Sequence, residues 1–156
     1  MKTIKEILNP PSLHPNTDSP IEEILYKEFE KYGILPVIQH KVLNFRLDLA
    51  FPEIKLAIEA DGEEFHSTGE QINNDIGREV KLEEMGWKIV RFTGSEIHRN
   101  YELIVAKILL QNFEDRLSAE LKQRAIGRIV SYFTKKDPKF AEELTETAIK
   151  GYIYKK

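Results

Sequence analysis

Apolar positions along the chain change rhythm several times, and each rhythm predicts an element. In SPIEEILYKEFEKYG, residues 19–33, Ile21, Ile24, Leu25 and Phe29 fall on one face of a helix. Its start is marked by Ser19 as N-cap, Pro20 at the first helical position and Glu22 three residues after the cap, and Gly33 marks its end. Residues 36–51 are rich in strand formers. In their second half Phe45, Leu47, Leu49 and Phe51 alternate with Asn44, Arg46, Asp48 and Ala50. PEIK makes a turn. KLAIEAD, residues 55–61, alternates again, with Leu56, Ile58 and Ala60 against Ala57, Glu59 and Asp61. GEEFHSTGEQINN reads as a polar loop long enough to suggest a function. DIGREVKLEEM then reads as a helix stopped by Gly86, and WKIVRF as a short strand.

The remainder has helical spacing. Asn100 is expected to cap a helix carrying Tyr101, Ile104, Val105, Ile108 and Leu109. A second stripe runs through Leu117, Leu121, Ile129, Val130 and Phe133, with a gap at Gly127, and Asp137-Pro138 opens a last short helix with Phe140, Leu144 and Ala148. The order helix, three strands, helix, strand, helices predicts a mixed α/β core of about 80 residues. Residues 1–18, with their prolines, read as an extended lead-in. Residues 19–99 read as the core and 100–156 as a helical C-terminal extension.

Composition narrows the class. With 156 residues, 41% hydrophobic and 31% charged, the chain can build a core and is not a disordered polymer. No apolar run approaches the roughly 20 residues that cross a bilayer. MKTIKEILNPPSLHP lacks the apolar centre of a signal peptide, so a cytoplasmic protein without a membrane partner is expected. The absence of cysteine excludes disulfides and thiolate zinc sites. Net charge is −3, unevenly spread: residues 1–97 hold 11 Lys/Arg and 18 Asp/Glu, whereas 98–156 hold 12 and 8. Such asymmetry hints at a polyanion partner, although solvated basic helices explain it as well.

The acidic positions carry the chemistry. A four-residue turn over Pro52 to Lys55 sets Phe51 opposite Leu56, Leu49 opposite Ile58 and Asp48 opposite Glu59. Side chains so opposed stand about 5 Å apart, and like charges there destabilise a sheet. Asp61 lies two residues on, on the same face as Glu59. Compensation can come from a cation such as Arg46 or Lys55. It can also come from a divalent metal, for which oxygen ligands and retained waters suit Mg²⁺.

From Ser19 to about Ile97 the chain resembles the PD-(D/E)xK endonuclease-like superfamily, in the branch related to very-short-patch-repair endonucleases. The likeness is carried by SPIEEILYKEF, the glutamine of VIQHKV, RLDLAFPEIKLAIEADGEEFH and DIGREVKLEEMGWKIVRF. It implies a restriction-endonuclease-like mixed sheet flanked by helices, with metal-dependent cleavage of DNA. Asp48 matches the central metal-binding aspartate and Glu59 the acid of the second motif. Asp61 stands where many members carry lysine, which leaves the water-activating group unidentified. Glu22 matches a helix glutamate that reaches into such sites. His66 and Asp75 match the histidine and aspartate of the polar cluster, and Arg78 falls near its mouth. The structural zinc of the repair enzymes has no thiolates to bind here.

The expected chemistry is hydrolysis of a phosphodiester with Mg²⁺ or Mn²⁺ on Asp48, Glu59 and Glu22. His66 is the proton donor or acceptor, Asp75 orients it, and Arg78 meets the substrate phosphate. Each residue also has a plainer reading. Glu22 completes a capping box, Asp75 sits at a helix start, Asp75 and Arg78 form an i, i+3 ion pair, and Arg91 is either an exposed strand arginine or a site residue. Lys122, Arg124, Arg128, Lys135, Lys136 and Lys139 either track DNA or face solvent on helices that pack the core or pair two subunits. A nucleic-acid-binding or dimerising module without cleavage is the alternative function.

Overall fold

Ser19 Oγ accepts a hydrogen bond from the Glu22 amide (3.3 Å) and opens α1, Pro20–Glu30. The computed structural model describes residues 19–61, 69–140 and 142–143. By backbone proximity the chain forms two units, Met1–Glu23 with Pro36–Phe92, and Ile24–Leu35 with Thr93–Lys156.

The first unit is built on a sheet in the order β1 (Val37–Val42), β2 (Phe45–Phe51), β3 (Leu56–Asp61), β4 (Lys88–Thr93). β1 and β2 are antiparallel across the two-residue turn Leu43-Asn44, where Leu43 has φ 55°. β2 and β3 are antiparallel with Leu49 opposite Ile58, Ala50 opposite Ala57 and Phe51 opposite Leu56, the register expected from the turn. That turn is a 3-10 segment, Pro52–Ile54, closed by Lys55 in the left-handed region. Lys88 N donates to Lys55 O (2.8 Å), so β4 and β3 leave from the same end and the sheet is mixed.

Between β3 and β4 lies α2, Gly69–Glu84. The polar loop is therefore shorter than its composition suggests, since residues 69–74 are helical. Gly69, Glu70, Asn73 and Asn74 face solvent, so this first stretch carries no apolar period to announce it. α2 ends at Gly86 (φ 88°), whose N–H bonds Glu83 O (2.8 Å) while Trp87 N bonds Leu82 O (2.9 Å). Lys55 Nζ donates to Met85 O (2.9 Å), placing a cation at the negative end of the helix. Val42, Leu47, Ala50, Ala57, Leu82 and Trp87 form a core cluster, with Phe45 and Ile89 packed against it.

The second unit is helical. α3, Gly94–Asn112, opens with a capping box in which Thr93 Oγ1 accepts from Glu96 N and Glu96 accepts from Thr93 N. It thus begins six residues before Asn100, and Asn100 (φ −132°, ψ 20°) is the non-helical residue at the kink where two helical segments meet, the second of them carrying Tyr101 to Leu109. After a 3-10 turn, Glu114–Arg116, Ser118 caps α4, Ala119–Lys136, which continues through Gly127. Asp137 Oδ1 accepts from Phe140 N (3.1 Å) as a cap for the last turn; Leu144 and Ala148 lie outside the described residues. Leu25, Phe29, Ile97, Val105, Leu109 and Ala125 are fully buried. Among the described residues no helix is long and apolar enough to cross a membrane.

Candidate active site

One face of the first unit changes character along its strands. The cross-strand pair Ala50 and Ala57 belongs to the apolar cluster with Leu82. Two residues further, alternation brings Asp48 and Glu59 to the same face, and two further still Arg46 and Asp61. These four line a cavity of about 390 Å³ together with Asp75 and Arg78 from α2 and Arg91 from β4. Asp75, Arg78 and Leu82 are spaced i, i+3, i+7, which puts them on one side of the helix. Leu82 is anchored in the core, so that side faces the sheet.

Arg78 accordingly takes its partner from the sheet. Its Nη1 donates to Glu59 Oε2 (3.1 Å), and its Nη2 donates to Glu59 Oε1 and to Arg46 O (3.3 Å). Arg91 Nε lies 3.4 Å from Glu59 Oε2. The Glu59 side chain is 8% exposed and that of Arg78 17%, so this is a bidentate pair largely out of water. Phe45 covers the guanidinium, with its ring centre 5.8 Å from Cζ. Asp75 acts on Arg78 through its charge. The helix ion pair expected between them gives way to the sheet partner, because Arg78 reaches down from the helix instead of along it.

The remaining acids are less well compensated. Asp48 Oδ2 accepts from Ala60 N (2.9 Å). Burial nevertheless holds its pKa above the model-compound 3.8, and the charges of Glu59 and Asp61 push in the same direction. Asp61 is also raised, chiefly by burial, with Glu59 and Asp75 adding to it and Arg91 opposing. Hence the opposed acids receive Arg78 and Arg91 as their main cations. Lys55 is occupied at the end of α2.

Glu22 is buried and its Oε2 accepts from Gln39 Nε2 (3.2 Å); it is not among the side chains lining the cavity. Gln39 sits in β1 between Ile38 and His40, which pair with Leu49 and Leu47, so its position falls opposite Asp48 along the ladder. Its φ of 51° is rare for a residue with a side chain and marks a held conformation. His66 lies outside the described residues. Arg91 belongs to the site, and alternation gives the reason: Ile89, two residues earlier, packs on the core cluster of the same face.

Could these groups hold a divalent ion? Among the described residues no three His, Cys, Asp or Glu are arranged as a ready cage. The donors at hand are carboxylate oxygens, which suit hard cations, and Mg²⁺ needs only one or two of them with retained waters. Asp48 and Asp61 have no ion-pair partner within bonding distance among the described residues, and both retain protons more readily than ordinary carboxylates. A divalent charge relieves that repulsion, so the donor set fits. Glu59 can join only as far as Arg78 yields.

Residues 21–111 match the sequence-family model REase_MTES_1575. An uncharacterized protein of Mycobacterium tuberculosis strain H37Rv is 32% identical over 73 residues, 47% of this chain and 27% of that protein. An uncharacterized protein of Haemophilus influenzae is 31% identical over 72 residues, 46% of this chain and 59% of that protein. This chain therefore spans about a quarter of the length of the mycobacterial relative it matches. Among solved structures it is similar to the homing endonuclease I-Bth0305I catalytic domain, with a TM-score of 0.46 and 17% identity over 71% of this chain and 98% of that one. Because the family match covers more than half of its 156 residues, the chain belongs to the restriction-endonuclease-like family REase_MTES_1575.

Proposed function

We propose that this chain is a divalent-metal-dependent DNA endonuclease or nickase, in the branch resembling very-short-patch-repair endonucleases. The observation that carries the reading is the convergence of Asp48, Glu59, Asp61 and Asp75, from two strands and a helix, on one cavity with three arginines. A pure binder of phosphates gains nothing from opposed carboxylates there, so cleavage is preferred over a binding module.

Asp48, with Glu59 as far as Arg78 yields it, would hold Mg²⁺ or Mn²⁺, and the bound ion would supply charge relief at a phosphoryl oxygen and a more acidic water. The chain's own groups do the rest. Arg78 and Arg91 pair with Glu59 and fix its orientation. Asp61, with its raised proton affinity, is the acceptor for the water's proton. His66 donates to the leaving oxygen and Asp75 orients it. Arg78 retains Nε–H and one Nη1–H for a phosphate oxygen. Glu22 supports the site through Gln39 rather than from the cavity wall. The chemistry belongs to residues 19–99, in a cytoplasmic protein. The helices of 100–156 are a surface for pairing two copies, which sedimentation at several concentrations checks.

Supercoiled plasmid incubated with Mg²⁺ or Mn²⁺ tests the proposal. Wild type should yield nicked or linear DNA and Asp48→Ala should not. Equal survival of supercoiled DNA with both proteins, across metals and DNA forms, ends it.

A further inference from the structure

The cavity around Asp48 is lined by four carboxylates and three arginines, so its charge does not attract a polyanion. The chain's cationic surplus lies elsewhere, in residues 98–156. Within the helical unit, a second cavity of about 400 Å³ is lined by Arg99, Tyr101, Arg128, Tyr132, Lys135 and Lys136, among others. Among the described residues Glu102 is the one acid on its wall, and it is paired with Arg128 (3.2 Å). Arg99, Lys135 and Lys136 are left as net positive charge on a single concave surface.

The helix dipole accounts for lysines in the last turn of α4. It does not account for Arg99, which comes from α3 and donates its Nε to Ser95 O (3.3 Å). Nor does it account for the aromatics. Tyr101 and Tyr132 are half-buried in the same wall, and Lys136 Nζ lies 5.0 Å from the Tyr132 ring centre. Cations on two helices, interleaved with tyrosine rings, are the combination that binds phosphates by charge and bases or sugars by stacking. An acidic peptide would use the charges and leave the rings idle.

We infer that this cavity between α3 and α4 is a seat for the phosphodiester backbone of nucleic acid. The inference deepens the nuclease reading and rests on nucleic acid being the substrate. Affinity then comes from the helical unit, and the acidic cavity is free to be built for chemistry instead of attraction.

The test is fluorescence anisotropy of a labelled oligonucleotide with the full chain in EDTA, so that no cutting intervenes. The triple variant Arg99→Gln, Lys135→Gln, Lys136→Gln should bind about tenfold more weakly at moderate salt, and its log affinity should depend on log salt with a slope about two to three units shallower. Should the triple variant fold poorly by circular dichroism, Ser131→Glu, an exposed α4 position on the cavity wall, should weaken binding in the same way. Unlabelled oligonucleotide should compete, whereas polyglutamate and inorganic phosphate at matched ionic strength should not. Unchanged affinity and slope in the cavity variants overturns the inference, as does equal competition by polyglutamate or no binding by wild type. Plasmid cutting by wild type despite such a result leaves the nuclease reading standing; binding without cutting leaves this inference standing and removes the other.

Discussion

Replacing Arg78 with methionine strands the Glu59 carboxylate in a buried position beside Asp48. Removing one partner of a buried ion pair costs about 3–5 kcal/mol, because the remaining charge cannot reach water. Arg91 still faces Glu59 Oε2 at 3.4 Å. Being about a third exposed, it recovers part of the loss, so roughly 2–4 kcal/mol remains. For a chain of 156 residues each kcal/mol moves the midpoint by about 2–4 °C, which predicts a fall of roughly 5–15 °C. In a Glu59→Leu background no charge is stranded, and the same substitution should cost about 1 kcal/mol or less. Urea unfolding of the four proteins in EDTA, followed by far-UV circular dichroism, closes the cycle. Arg78→Met within about 0.5 kcal/mol of wild type, or an equal penalty in both backgrounds, would refute the reasoning. The guanidinium would then matter for its packing on Phe45 and not for its charge.

Three further outcomes are expected. Ca²⁺, a hard ion suited to binding without cleavage, should raise the midpoint of Arg78→Met more than that of wild type, by about 1.4 kcal/mol at ten times its dissociation constant, because Glu59 is no longer held by a guanidinium; EDTA should remove the gain, which thermal scans would show. Asp48 and Asp61 bind protons more tightly folded than unfolded, so metal-free stability should fall as pH rises from the ordinary 3.8 through their raised folded values; Asp48→Asn should flatten that fall and be more stable by up to about 1 kcal/mol at neutral pH, measured by urea titration at several pH values. Thr93→Ala should cost about 1 kcal/mol by the same measurement, since it leaves the Glu96 amide without its cap.

What the sequence reveals depends on how far apart the cooperating residues lie. The β2–β3 register follows from a short turn and from apolar parity on both strands, so Asp48 could be set against Glu59 by counting. The start of α2 could not be found by the same means. Its first residues face solvent, and a solvated helical turn has no apolar period. The capping box Thr93-x-x-Glu96 stands in the chain directly after the strand pattern of residues 87–92, and it opens a first helical segment ahead of the kink at Asn100, where the second begins. These differences concern where an element starts, and local chemistry decides them.

The cation that answers the opposed acids is a different matter. Arg46 and Lys55 are near in sequence, yet Lys55 is drawn to the carbonyl of Met85 and the bidentate partner comes from Arg78, nineteen positions beyond Glu59. One sequence sign does point to it. Asp75, Arg78 and Leu82 share a helix face, and a helix whose leucine is buried must turn the two charged residues of that face toward the same sheet. A charged residue one turn from a core anchor therefore finds its partner across the interface, and an i, i+3 pairing along the helix is the weaker claim. The same logic applies to Arg91 beside Ile89 in β4. Both arginines reach Glu59 because the apolar residues next to them fix the face they share, so the charge balance of the site is set by the core that adjoins it.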